Sequence, residues 1–152
     1  MPPHSNLIDP RELRRCLGRD GIRIVDCRFD LSDVLAGRRA YAAAHIPGAV
    51  FADLDTDLSA PIQPETGRHP LPDVSDIAST LGRLGIDNSI DVIVYDDGPG
   101  SLAARAWWML RWLGHERVRL LNGGFQAWQR QGLPLAGGIE QAEHRDFVPR
   151  PR

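Results

Sequence analysis

The sequence predicts a single α/β domain with a mainly parallel central sheet flanked by helices on both faces. Segments typical of strands alternate with segments typical of helices from about residue 10 to residue 132. The 152 residues, 42% of them hydrophobic and 25% charged, suit one domain with one core. The run Val92-Ile93-Val94 is apolar throughout, as in strands that are buried on both faces of a parallel sheet.

Three elements are predicted before residue 53. A helix follows Asp9, because Pro10 suits the first helical position, and it ends near Arg19. The β-branched run at 22–27 predicts a strand, and a polar stretch with no assigned element follows it. A short strand is expected at 49–52, after a break at Pro47-Gly48.

Five more elements are predicted after a long loop. Residues 53–72 are rich in acidic residues and proline with little periodicity, and loops of about twenty residues tend to be functional or mobile. Apolar residues at helical spacing predict a helix at 73–84. A strand at 91–95, a helix at 102–113, a strand at 118–121 and a helix at 125–131 follow in order.

The domain is expected to span residues 1–135. Residues 136–152 are rich in glycine and charge and end in Val148-Pro149-Arg150-Pro151-Arg152, which is typical of a linker. This tail is expected to lead towards a second domain that is not present in this chain.

Composition excludes several classes of protein. All 18 basic residues are arginine, so mechanisms that need a lysine amine are excluded, and the net charge of −2 indicates no nucleic-acid partner. No apolar run approaches the ~20 residues of a membrane helix, and no leader is apparent, so we expect a soluble, cytoplasmic protein without a membrane partner. The two cysteines and five histidines show no metal-ligand spacing, and neither a metal nor a cofactor is expected.

The best candidate for an active-site loop follows the strand at 91–95. Parallel sheets bind ligands beyond the carboxyl ends of their strands, and glycines allow a loop there to point its amides inward. The loop reads Asp96-Asp97-Gly98-Pro99-Gly100-Ser101. It lacks a thiol, the nucleophile that such an amide cradle would activate.

Four motifs, in order along the chain, resemble the rhodanese family. They are Val25-Asp26-Cys27-Arg28, His45-Ile46-Pro47-Gly48-Ala49, the run Val92 to Tyr95 with Arg105-Ala106-Trp107-Trp108 after the loop, and Leu121 to Trp128. The resemblance covers about residues 6–135 and implies a rhodanese-like fold. More narrowly, the chain is similar to the N-terminal halves of tandem sulfurtransferases that act on thiosulfate or 3-mercaptopyruvate, on the motifs Tyr95-Asp96-Asp97-Gly98, Arg105-Ala106-Trp107-Trp108 and Thr66-Gly67-Arg68-His69-Pro70.

The resemblance implies a non-catalytic domain. In those enzymes the second domain carries the catalytic cysteine and the first has an aspartate in its place, and here Asp96 occupies that position. A carboxylate cannot attack a sulfur donor and hold a persulfide, so the chain alone is expected to be inactive. The implied partners are a downstream catalytic rhodanese domain and a small anionic sulfur donor, whose sulfane sulfur passes to a thiophilic acceptor.

Three residues of the long loop are candidates for the cleft beside that second domain. The resemblance implies that Asp55 matches an acidic position near the cysteine, and that His69 either handles a proton or makes a simple interface contact. Arg68 is a candidate for holding the anionic donor, because guanidinium suits oxyanions.

Other motif residues are expected to be structural. Asp26 and Arg28 should form hydrogen bonds and ion pairs that fix the end of a strand, and His45 should tie the turn at Pro47-Gly48 to backbone carbonyls. Cys27 is expected to be a small core residue, the alternative being a relocated nucleophile.

Two other functions compete with this interpretation. Asp53-Leu54-Asp55-Thr56 resembles the signature of aspartyl-nucleophile phosphatases. However, Asp57 occupies a position where that signature has Thr or Val, and the chain has no lysine to hold the phosphate. A stand-alone inactive rhodanese-like binding module shares every motif. Whether the gene continues past Arg152 distinguishes this module from one domain of a tandem enzyme.

Overall fold

A parallel sheet of five strands forms the centre of the computed structural model, which describes residues 5–61, 67 and 69–152. The strands are β1 (Leu7–Ile8), β2 (Ile22–Asp26), β3 (Val50–Phe51), β4 (Asp91–Tyr95) and β5 (Val118–Leu121). They lie in the order β1-β5-β4-β2-β3, with every neighbouring pair parallel. The expected parallel sheet is confirmed.

Helices cover both faces of this sheet. They are α1 (Pro10–Cys16), α2 (Ala36–Ala43), α3 (Val74–Arg83), α4 (Ser101–Trp112) and α5 (Gly124–Arg130). Val92 and Val94 of β4 point to one face and pack in a cluster with α3 and α4. Ile93 and Tyr95 point to the other face and pack with α1, α2 and α5. The alternation along β4 therefore explains why its whole run is apolar.

Two elements were not predicted, and α1 ends earlier than expected. Strand β1 has only two residues, too few for a periodic pattern. Helix α2 buries only Gly37 and Tyr41, so it shows no apolar stripe. A Cβ on Gly37 would lie 1.9 Å from the carbonyl oxygen of Arg28, and the glycine allows α2 to approach the end of β2. Helix α1 ends at Cys16 rather than near Arg19.

Residues 136–152 form no helix or strand but lie against the domain. The Arg145 amide donates to Gly82 at 2.9 Å, and the Arg150 amide donates to Leu113 at 2.7 Å. Phe147 is 7% exposed and packs 5.7 Å from the His115 ring, measured between centroids. The tail thus contributes to the core beside α3 and α4. That it leads to a second domain stays a prediction.

In the parts of the chain that the structure describes, no helix has the length and apolarity needed to cross a membrane. The same residues contain no group of three or more side chains that could hold a metal ion.

Candidate functional site: the carboxyl edge of the sheet

The carboxylate of Asp96 fills the amide cradle at the end of β4. Its Oδ1 accepts a hydrogen bond from the Gly98 amide at 3.0 Å, and its Oδ2 accepts bonds from Leu102 and Ala103 at 3.0 and 2.9 Å. Asp96 is 2% exposed. The first amides of α4, which could hold an external anion, are therefore engaged by a side chain of the same loop.

Two glycines allow this loop to pack closely. Gly100 precedes α4 with a φ of 99°, in the left-handed region. A Cβ on Gly124 would lie 2.6 Å from the Asp96 carbonyl oxygen, which accepts the Phe125 amide at 2.9 Å. Asp97 is exposed, and its carbonyl oxygen accepts a bond from Gln126. Ser101 is the first residue of α4. The loop is held between α4 and α5.

No cysteine occupies the loop, and Cys27 lies in the core at the end of β2. Cys27 is 2% exposed and packs in the cluster beneath α3 and α4. Burial, and then the charges of Asp26, Asp96 and Asp57, raise its thiol pKa well above the usual range. The thiol is therefore protonated at neutral pH, which disfavours a nucleophilic role.

Asp55 and His69, fourteen residues apart in the chain, meet in the long loop. His69 Nε2 lies 2.8 Å from Asp55 Oδ1. The His69 side chain is 17% exposed and meets the Phe29 ring edge-on, with 6.1 Å between centroids. A carboxylate in this position can orient the imidazole. Arg68, the third cleft candidate, lies outside the described residues.

The carboxylate of Asp53 is used internally. Asp53 is 4% exposed, and its Oδ1 accepts bonds from the amides of Asp55 and Thr56 at 2.8 and 3.2 Å. Arg38 approaches its Oδ2 at 3.5 Å. This geometry organises the start of the loop and does not favour Asp53 as a phosphatase nucleophile.

Arg105 of α4 holds the long loop from the helix side. Its guanidinium donates to the carbonyl oxygens of Leu58 at 3.0 Å and of His69 at 3.0 Å, and it also contacts Ser59 Oγ at 3.3 Å. Burial lowers the pKa of Arg105 from its usual value. The sequence motif contains this arginine, but a role for it was not predicted.

A buried ion pair fixes the end of β2. Arg28 binds both carboxylate oxygens of Asp26, with an Nη2–Oδ2 distance of 2.7 Å, and donates to the Ala44 carbonyl at 2.6 Å. Its guanidinium also lies over the Phe125 ring, 4.1 Å from the centroid. Tyr95 donates to Asp26 at 2.7 Å, and burial together with that carboxylate raises the Tyr95 pKa. The residues link β2 with β4 and α5, as a structural network does.

His45 connects the turn at Pro47-Gly48 to the tail. Its Nδ1 donates to the Tyr41 carbonyl at 2.8 Å, and its Nε2 lies 2.6 Å from Glu140 Oε2. The same Glu140 oxygen accepts the Gly48 amide at 2.9 Å. His45 is completely buried. Glu140 was missed at the sequence level, because nothing in a glycine-rich tail marks one carboxylate as a partner of a distant histidine.

Known proteins match this chain over nearly its whole length. Residues 9–131 match the rhodanese-like domain. A probable 3-mercaptopyruvate sulfurtransferase of Pseudomonas aeruginosa is 46% identical over 97% of this chain and 52% of that protein. The thiosulfate sulfurtransferase of Bos taurus is 38% identical over 84% of this chain and 42% of that protein. The chain thus spans about half the length of these relatives.

Solved structures agree in fold. The crystal structure of SseA from Escherichia coli, a 3-mercaptopyruvate sulfotransferase, superposes with a TM-score of 0.85 at 31% identity, over 98% of this chain and 58% of that one. A 3-mercaptopyruvate sulfurtransferase from Leishmania major superposes with a TM-score of 0.84 at 35% identity, over 97% of this chain and 41% of that one. By its sequence motifs, its sheet and these relatives, the chain belongs to the rhodanese family.

Proposed function

We propose that this chain is the N-terminal, non-catalytic rhodanese domain of a tandem sulfurtransferase. The complete enzyme would move sulfane sulfur from thiosulfate or 3-mercaptopyruvate to a thiophilic acceptor, and a second rhodanese domain would supply the catalytic cysteine. The lengths of the relatives, about twice that of this chain, support the proposal.

One observation carries it. The Asp96 carboxylate accepts three amide hydrogen bonds in the loop where a sulfurtransferase needs a thiolate. A buried carboxylate there repels an anionic donor and offers no sulfur to form a persulfide. The donor would therefore bind beside this domain, at the catalytic cysteine of the other, with Arg68 as a candidate for contacting it.

The Asp55–His69 pair would form the wall of the cleft that faces the catalytic domain. His69 is partly exposed, and its Nε2 lies within hydrogen-bonding distance of the Asp55 carboxylate. An imidazole oriented in this way can move a proton during release of the carbon product from 3-mercaptopyruvate, a step that thiosulfate does not need.

The test is a sulfurtransferase assay of residues 1–152 with and without the downstream domain. We expect turnover of thiosulfate and 3-mercaptopyruvate only when that domain is joined. Turnover by residues 1–152 well above a no-enzyme control would refute the proposal. So would a gene that stops at Arg152, which instead fits a stand-alone binding module.

We predict that His69→Ala in the two-domain protein lowers turnover of 3-mercaptopyruvate by about tenfold to a hundredfold, as loss of a proton-transfer group does, and lowers turnover of thiosulfate less. His144→Ala, at an exposed histidine of the tail, is the control. Wild-type rates of His69→Ala with both donors would remove His69 from the mechanism.

A further inference from the structure

Two segments of the long loop, residues 58–59 and 69–70, meet at one side chain of α4. The Nη2 group of Arg105 reaches the Leu58 carbonyl and Ser59 Oγ in the first segment. The same nitrogen reaches the His69 carbonyl at 3.0 Å in the second segment and lies 3.5 Å from the Pro70 carbonyl. Its Nε adds a second bond to Leu58 at 3.2 Å.

A backbone hydrogen bond closes the loop at the same place. The Ala60 amide donates to the Pro70 carbonyl at 2.9 Å. A single backbone bond gives little net stability to a loop at the surface, whereas hydrogen bonds from a charged donor are about twice as strong. The planar guanidinium can serve several acceptors at once, which an ammonium group cannot do in the same geometry.

His69 takes part in this closure. Its carbonyl oxygen binds Arg105, while its ring contacts Asp55 on one side and Phe29 on another. Asp55 precedes the first of these segments and His69 belongs to the second, so the Asp55–His69 contact joins the same parts of the loop that Arg105 holds. The backbone of His69 is therefore held by α4, the helix whose first amides bind Asp96.

We propose that Arg105 is a positioning residue for the Asp55–His69 pair and acts by holding residues 58–59 and 69–70 together. The proposal rests on the function proposed above for that pair, but the closure itself can be measured in this chain without any activity. Arg105 touches no reacting atom and acts through His69.

The first test is Arg105→Met, which keeps the aliphatic stem and removes every donor. We expect hydrogen exchange of the Ala60 amide to become about tenfold faster or more, and the nuclear Overhauser contact between the His69 and Phe29 rings to disappear. Exchange of the Val94 amide in β4 should stay unchanged, which separates loss of closure from loss of the fold.

Two further variants keep the test decisive. Arg111→Met is the matched control, because Arg111 lies on the same helix over the Trp107 ring, and it should leave Ala60 and His69 as in the wild type. Arg105→Lys retains the charge but not the planar guanidinium with its several donors, and it should give an exchange rate of the Ala60 amide between those of Arg105→Met and the wild type. Unchanged Ala60 exchange and an intact His69–Phe29 contact in Arg105→Met would overturn the proposal. Ala60 exchange as slow in Arg105→Lys as in the wild type would overturn it too.

Activity then separates this proposal from the proposed function. In the two-domain protein, Arg105→Met should lower 3-mercaptopyruvate turnover. Adding it to His69→Ala should cause no further loss, because Arg105 acts only through the imidazole that His69→Ala has already removed. A further loss of more than about tenfold in the double variant would contradict action through His69. If His69→Ala alone has no effect, the cleft role fails while the exchange result still decides whether Arg105 closes the loop.

Discussion

At the scale of single residues, Asp96 occupies three amides of the loop after β4. Burying a carboxylate is costly unless it is hydrogen-bonded, and here three amides meet it. The same amides would be left without acceptors if the carboxylate were removed. Asp96 therefore stabilises the loop by the arrangement that excludes an external anion.

We predict that Asp96→Ala destabilises the domain by about 1–3 kcal/mol, the usual cost of leaving buried polar groups unpaired. Urea unfolding followed by circular dichroism measures this difference. The neighbouring Asp97→Ala, at an exposed side chain, should change stability by no more than about 0.5 kcal/mol. Equal stability of the two variants would contradict a structural role of the Asp96 carboxylate.

A second prediction concerns His115, which is 3% exposed and whose Nε2 donates to the Ile90 carbonyl at 2.9 Å. Burial lowers its pKa below the usual value, so the folded state binds its proton less readily than the unfolded state. Its contribution to stability is therefore full above the unfolded pKa of about 6.5 and is lost as the pH falls below that value.

The measurement for His115 is the free energy of unfolding at pH 7.5 and 5.5. His115→Phe should show a smaller loss between the two pH values than the wild type, and one proton limits the difference to about 1.4 kcal/mol per pH unit. His144→Gln, at an exposed position, should behave like the wild type. An unchanged pH dependence in His115→Phe would assign the effect to other groups.

At the scale of elements, periodicity was informative where an element buries a continuous stripe. Strand β4 and helix α3 were predicted within a residue at each end, because each carries several buried apolar residues at regular spacing. Helix α2 was missed because its burial rests on one glycine and one tyrosine, and the need for Gly37 comes from the Arg28 carbonyl, a contact between distant segments.

The tail illustrates the same limit. Its composition is typical of a linker, yet Phe147 lies in the core and Arg145 binds Asp87 at 2.9 Å. Hydrogen bonds from Ser89, and then the Arg145 guanidinium, lower the pKa of Asp87 to about 2. Phe147 and Val148 are an isolated apolar pair in a polar tail and form no periodic pattern, so packing of this kind could not be predicted from local sequence.

We predict that Phe147→Ala destabilises the domain by about 3 kcal/mol, as for other buried phenylalanines. Val148→Ala, at a side chain that is 54% exposed, should change stability by less than about 0.5 kcal/mol and serves as the control. Thermal unfolding of the two variants provides the comparison. Similar melting temperatures for both would mean that the tail does not contribute to the core.

At the scale of the whole molecule, the sequence predicted which edge of the sheet carries the candidate site but not how it is assembled. The strand ends and the family resemblance pointed to Asp55, His69 and Asp96. Arg105 could not be assigned a role, because its partners are mostly backbone carbonyl groups, which have no sequence signature. The direct contact of Asp55 with His69 likewise depends on how the long loop closes.

The same edge bears exposed apolar side chains that a second domain would cover. Leu31, Val34 and Leu35, in the segment between β2 and α2, are 53%, 50% and 54% exposed. Exposed apolar residues that lie close together at a surface mark interaction sites, and the second domain of the proposed function would be the occupant of this one. We therefore predict that residues 30–36 exchange amide hydrogens more slowly in the two-domain protein than in residues 1–152 alone.

Leu35→Asp should lower the melting temperature of the two-domain protein by several degrees while leaving that of residues 1–152 nearly unchanged, because the new charge is buried only when the second domain covers it. The matched control is Val148→Asp, which is equally exposed but lies in the tail beside Asn88, in the connection that leads into the amino end of β4. Val148→Asp should change the melting temperature of the two-domain protein and that of residues 1–152 by the same amount. If residues 30–36 exchange at the same rate in both forms, the second domain does not dock on this segment, and its interface must be sought at another part of the sheet edge.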